Sequence, residues 1–142
     1  MEATAFLGVV GWDKRVFYYE LYPKSVNGDK FRLFLRNLRY KLGRQRVVIY
    51  MDNLRLHHSK ATIRVMDELN MIPLFCPVYS PNLNPIEFVF SKVKQLARKA
   101  RLNDMMNNRK RTYHDIVPEV ITKITKEDVN NCIYHVYKLF FE

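Results

Sequence analysis

The chain has 142 residues, the size of one domain; 48% are apolar and 27% charged, which excludes wholesale disorder. Four Gly and six Pro exclude collagen-like and low-complexity classes, and no stretch approaches the roughly 20 apolar residues of a membrane helix. Lys and Arg number 24 against 14 Asp and Glu, a net charge of +10, which points to an anionic partner, most simply nucleic acid.

The N-terminal residues MEATAFLGVVGWDKR carry no basic segment ahead of their short apolar run, so no signal peptide is expected. Thr4 to Trp12 and Arg15 to Tyr22 are apolar and aromatic runs around Asp13-Lys14, the pattern of a β-hairpin. Asn27 is placed to cap a helix in which Phe31, Phe34, Leu35, Leu38 and Leu42 recur at three- and four-residue steps, ended by Gly43. Arg46 to Met51 is a continuous apolar run, expected to form a strand buried on both faces. Ser59 caps a second helix to about Leu69, with Ile63, Met66 and Leu69 inward, and Ile72 to Phe75 forms another strand. Pro77 to Pro85 is a turn-rich loop, Ile86 to about Arg101 a helix, and Asn103 to Arg111 a polar surface loop. Thr125, with Asp128 three residues on, caps a last helix. The helical connections make the later strands parallel and central, with function at their carboxyl ends. Cys76 and Cys132 form neither a disulfide framework nor a zinc site and read as free, buried thiols.

Two acids stand out. Asp52 ends the strand VVIYMD, and Glu87 lies just inside the helix that follows SPNLNP. Carboxylates meeting at one sheet edge repel unless a cation separates them. Mg2+ suits, because it takes hard oxygen ligands and is commonly held by one or two carboxylates with water and phosphate. Taken singly, Asp52 also suits a turn or cap, and Glu87 a first-turn acid favoured by the helix dipole.

The segments YMDNLRLHHSK (50–60) and PVYSPNLNPIE (77–87) change that balance. They resemble the blocks around the second and third catalytic acids of mariner-type and insertion-sequence DDE transposases, in order and with 34 residues between the acids. The resemblance runs from about residue 4 to 101. It implies an α/β, ribonuclease H-like (retroviral-integrase-like) mixed sheet with flanking helices. The expected domains are a partial catalytic core over 1–105 and a helical extension over 106–142. It further implies DNA phosphoryl transfer, as endonuclease or strand transferase, with Asp52 and Glu87 holding Mg2+ or Mn2+. Asn53 and His57 match positions that support such a site, whereas His58 matches none. Tyr79, Ser80, Pro81 and Asn84-Pro85 would shape the loop before Glu87, with Asn82 where the family usually has Asp.

The family's first acid sits on a strand upstream of the hairpin. Glu2, Asp13, Glu20 and Asp29 do not occupy its position, so the chain is expected to begin after it and to lack the first central strand. A second chain or self-association would then supply that strand. The alternative function is an inactive, truncated or domesticated remnant that binds DNA or serves in assembly. Lys92, Lys94, Arg98, Lys99 and Arg101 lie on the helix after Glu87 and are expected to contact the DNA backbone. Such a chain would work in the nucleus of a eukaryote, or in the cytoplasm and nucleoid of a bacterium.

Overall fold

The computed structural model describes residues 5–14, 16–54, 57 and 59–141. Glu2, Thr4, Arg15 and His58, named above, lie outside them. The elements in chain order are β1 (Ala5–Val10), β2 (Val16–Tyr22), α1 (Gly28–Leu42), β3 (Val47–Met51), α2 (Lys60–Glu68), β4 (Met71–Phe75), a short 3-10 turn (Pro81–Leu83), α3 (Pro85–Met106), α4 (Tyr113–Ile121) and α5 (Lys126–Phe141). They fall into two compact units, Met1–Lys24 with Pro85–Glu142, and Ser25–Asn84.

In the first unit β1 and β2 pair antiparallel, Ala5 opposite Tyr22, with an irregularity between Val9 and Val10. The turn closes with Lys14 N–H donating to Gly11 O at 3.1 Å while Asp13 takes a positive φ of 59°. Asp13 N–H also donates to Asn130 Oδ1 at 2.7 Å, which fastens the hairpin to α5. Gly8 on β1 makes room for the Phe6 ring, which a Cβ there would meet at 2.9 Å and displace. That ring meets Phe90 edge-on, centroids 5.1 Å apart. Val89, Val93 and Ala97 recur every four residues along α3 and pack with Ile116, Val120, Ile124 and Val129.

Two features here depart from the sequence reading. α3 continues to Met106, into the stretch Asn103 to Arg111 expected to be a loop, and α4 falls in residues to which the sequence reading assigned no element. The reason is one carboxylate. Asp104 is buried, and Arg111 holds it with two hydrogen bonds, Nε to Oδ2 at 2.8 Å and Nη2 to Oδ1 at 2.9 Å. Arg111 also pairs with Glu119 on α4. A polar stretch thus becomes helix plus buried ion pair. α4 then starts from a full capping box, in which Thr112 accepts from Asp115 N–H and Asp115 accepts from Thr112 N–H. The cap expected for α5 is present: Thr125 Oγ1 accepts from Asp128 N–H at 3.0 Å and Asp128 Oδ2 accepts from Thr125 N–H at 2.9 Å.

In the second unit Asn27 caps α1 by accepting from Lys30 N–H at 2.9 Å. Phe31, Phe34, Leu35 and Leu38 form its buried face. Gly43 ends it at φ 80°, a conformation other residues adopt only with strain, its N–H donating to Arg39 O. Ser59 caps α2, whose buried residues are Thr62 and Met66. Thr62 replaces the expected Ile63 because its hydroxyl is satisfied by Ser59 Oγ at 3.0 Å.

β3 and β4 run parallel in register, Val47 opposite Met71 and Met51 opposite Phe75. They are parallel as expected but not central: among the described residues they pair only with each other, and Val48 is 57% exposed. The expectation of a strand buried on both faces fails for that reason. Pro73 is tolerated in β4 because an edge strand needs fewer ladder donors. Cys76 and Cys132 are free thiols, Cys76 buried and Cys132 half-buried. No helix among the described residues is long and apolar enough to cross a membrane.

Candidate active site

Asp52 stands immediately after β3, in the unit Ser25–Asn84, on a segment fixed by Cys76 N–H donating to Met51 O at 2.7 Å. Its close neighbour is His57, whose Nδ1 lies 2.6 Å from Asp52 Oδ1 and 3.3 Å from Asp52 O. The Oδ1 contact falls outside hydrogen-bond alignment, and among the described residues this buried oxygen has no hydrogen-bond partner. It therefore offers lone pairs to a cation, the chemistry a hard divalent ion requires. His57 is only 8% exposed and stacks on Phe31 of α1, centroids 4.4 Å apart at 27°. Its N–H donates to Leu54 O at 2.9 Å. α1 thus positions the imidazole beside the carboxylate, a role for Phe31 that core periodicity alone conceals. Asn53 is exposed.

The loop from Cys76 to Asn84 is anchored to the end of the parallel strands. Tyr50 Oη donates to Leu83 O at 2.8 Å, and Cys76 Sγ donates to Ser80 O at 3.1 Å. Burial pushes the Tyr50 hydroxyl up, out of the ordinary phenol range, so it stays a donor. Tyr79 sits at φ 58° with its ring exposed, so it shapes the turn through its backbone. Asn84 is buried and extended immediately before α3. Glu87 lies in the first turn of α3 and is half-buried. Asp52 and Glu87 belong to different compact units. Among the described residues no group of three or more His, Cys, Asp and Glu is placed to hold a metal ion.

Of the acids upstream, Asp13 lies in the hairpin turn and Asp29 pairs with Arg32 at 2.6 Å. The basic residues of α3 divide. Lys92 is tied to Asp128 at 2.5 Å, and Arg101 lies over the Tyr113 ring at 5.0 Å. Lys94, Arg98 and Lys99 are exposed.

A family profile described as DDE superfamily endonuclease matches residues 5–109. Among solved structures, the Mos1 strand transfer complex is 24% identical, with a TM-score of 0.69 over 90% of this chain and 38% of that one. The Mos1 transposase catalytic domain with Raltegravir and Mg is 22% identical, with a TM-score of 0.64 over 87% of this chain and 65% of that one. The catalytic domain of Mos1 mariner transposase is 20% identical, with a TM-score of 0.62 over 97% of this chain and 74% of that one. The chain therefore spans 38% of the length of the chain in the strand transfer complex. No curated protein matches it.

Proposed function

Because this chain belongs to the DDE superfamily endonucleases and has the ribonuclease H-like fold of a mariner transposase catalytic domain, we propose that it is a DNA phosphoryl-transfer domain using divalent metal at Asp52 and Glu87. The observation that carries this reading is the Asp52 carboxylate at the end of β3, whose buried Oδ1 lies beside His57 and accepts no hydrogen bond among the described residues. Mos1 structures hold Mg and Mn and include a complex with a transposon end, which supports the same metals and DNA as partner here.

Asp52 and Glu87 would hold the ion, which when bound stabilises charge on the attacking and leaving oxygens of a phosphodiester. Asp52 contributes an anionic ligand from a short rigid strand. His57 restrains that carboxylate's orientation and is itself held by Phe31. Tyr50 and Cys76 hold the loop that leads into the helix carrying Glu87. The exposed Lys94, Arg98 and Lys99 neutralise phosphates of bound DNA, with Asn53 beside Asp52 at the exposed side of the loop.

The test is nicking of supercoiled plasmid in Mn2+. The wild-type chain should nick, and Asp52→Asn and Glu87→Gln should each fall by at least about a hundredfold, the scale on which removing a transition-state charge stabiliser acts. Undiminished nicking in both variants would overturn the assignment. A folded chain that binds DNA and metal yet leaves plasmid intact would move the function to DNA binding or assembly, the role of a domesticated remnant.

A further inference from the structure

A second concentration of positive charge lies away from α3. Between Lys30 and Met51 the sequence holds seven cations and no acid: Lys30, Arg32, Arg36, Arg39, Lys41, Arg44 and Arg46. The first four are engaged within the unit. Lys30 donates to Ser25 O, Arg32 pairs with Asp29, Arg36 with Glu68, and Arg39 donates to Leu69 O at 3.0 Å and Gln45 O at 2.6 Å. Lys41, Arg44 and Arg46 are exposed and have no partner among the described residues. Tyr40, beside them, is 94% exposed.

These three cations do not ride on a loose tail. Arg39 clamps the Gly43–Arg46 turn to the end of α1 through Gln45 O and to the turn before β4 through Leu69 O. Among the described residues of the unit, Asp29 and Glu68 pair with Arg32 and Arg36, and Asp52 follows the opposite end of β3, which leaves Asp67 on α2. A fixed, exposed, uncompensated cluster of cations matches a polyanion of regular charge spacing.

We propose that Lys41, Arg44 and Arg46, with the Tyr40 hydroxyl, form a second DNA-backbone contact surface, distinct from the α3 residues. The inference rests on the reading that DNA is the partner. The surface lies at the N-terminal end of β3, and Asp52 follows its C-terminal end. The six residue steps from Arg46 to Asp52 put roughly 20 Å between them, about six base pairs along a duplex at 3.4 Å per step. The surface would therefore hold duplex flanking the reacting phosphate rather than that phosphate itself, and without sequence preference, because phosphate contacts carry none.

The test is fluorescence anisotropy of the full chain with a labelled duplex of arbitrary sequence, across a salt series. The triple variant Lys41→Gln/Arg44→Gln/Arg46→Gln should bind at least about tenfold more weakly, and its slope of log affinity against log salt should shrink by about 2–3. Its melting temperature should match wild type, since none of the three side chains holds the fold. An unchanged affinity and slope, with a reduced slope in Lys94→Gln/Arg98→Gln/Lys99→Gln, would overturn this surface and leave the DNA reading standing. Absence of duplex binding by the wild type at low salt, or binding only to anionic lipid vesicles, would overturn both.

Discussion

Leu38→Ala is expected to destabilise the protein by about 2–5 kcal/mol, the cost of removing a fully buried leucine and leaving a cavity. Leu38 is completely shielded and Leu35 nearly so, and both share the α1 face with Phe31 and Phe34. The cost is a large part of the ~5–15 kcal/mol that keeps a domain folded. Leu33 on the same helix is 58% exposed, and Leu33→Ala should change stability by no more than about 0.5 kcal/mol. Urea titrations of the three proteins measure both values. Equal losses would contradict the assignment of the α1 core face.

Arg111→Ala should destabilise the chain at pH 7, and the deficit should shrink in acid. The two hydrogen bonds from Arg111 hold the Asp104 carboxyl below its ordinary value of 3.8 against the opposing effect of burial. A depressed carboxylate contributes stability that is present above 3.8 and is lost as the pH falls through its folded value. Without Arg111 the largest effect opposing burial is gone, only the charges of Arg109 and Arg101 still oppose it, and the folded value rises. The two stability curves therefore converge as the pH falls from 3.8 through the depressed folded value, below which Asp104 is protonated in both proteins. Asp128, lowered by Lys92, and Asp115, lowered by Thr112, add to the acid sensitivity of the wild type in the same window. Calorimetric melting temperatures at pH 7 and pH 3 read the difference. An equal deficit at both pH values would contradict it.

Much of this architecture was legible in the sequence, because its signals are local. Asn27, Ser59 and Thr125 announce their helices by capping chemistry, and the hairpin and the parallel strands follow from short apolar runs bounded by turns. Asp52 and Glu87 were singled out by their place after a strand and at the start of a helix. What was not legible depends on distant partners. Asp104 reads as surface until Arg111 folds back onto it, and Pro118 inside α4 masks a helix that its capping box otherwise marks. Val48 reads as buried because a run of apolar residues does not say how many neighbours a strand has. Phe31 reads as core and is also the platform for His57. The cations from Lys41 to Arg46 are plain in the sequence, but only the internal pairing of Arg32, Arg36 and Arg39 shows which of the seven remain free.

The central claim is that Asp52 belongs to a divalent-metal site, and calorimetric titration of Mn2+ tests it most directly. Mn2+ shares the oxygen ligands that Mg2+ prefers. The wild-type chain should give a saturable heat of binding that vanishes in Asp52→Asn and weakens in Glu87→Gln, with the folded circular dichroism spectrum retained in all three. Identical titration curves for wild type and Asp52→Asn would contradict the account.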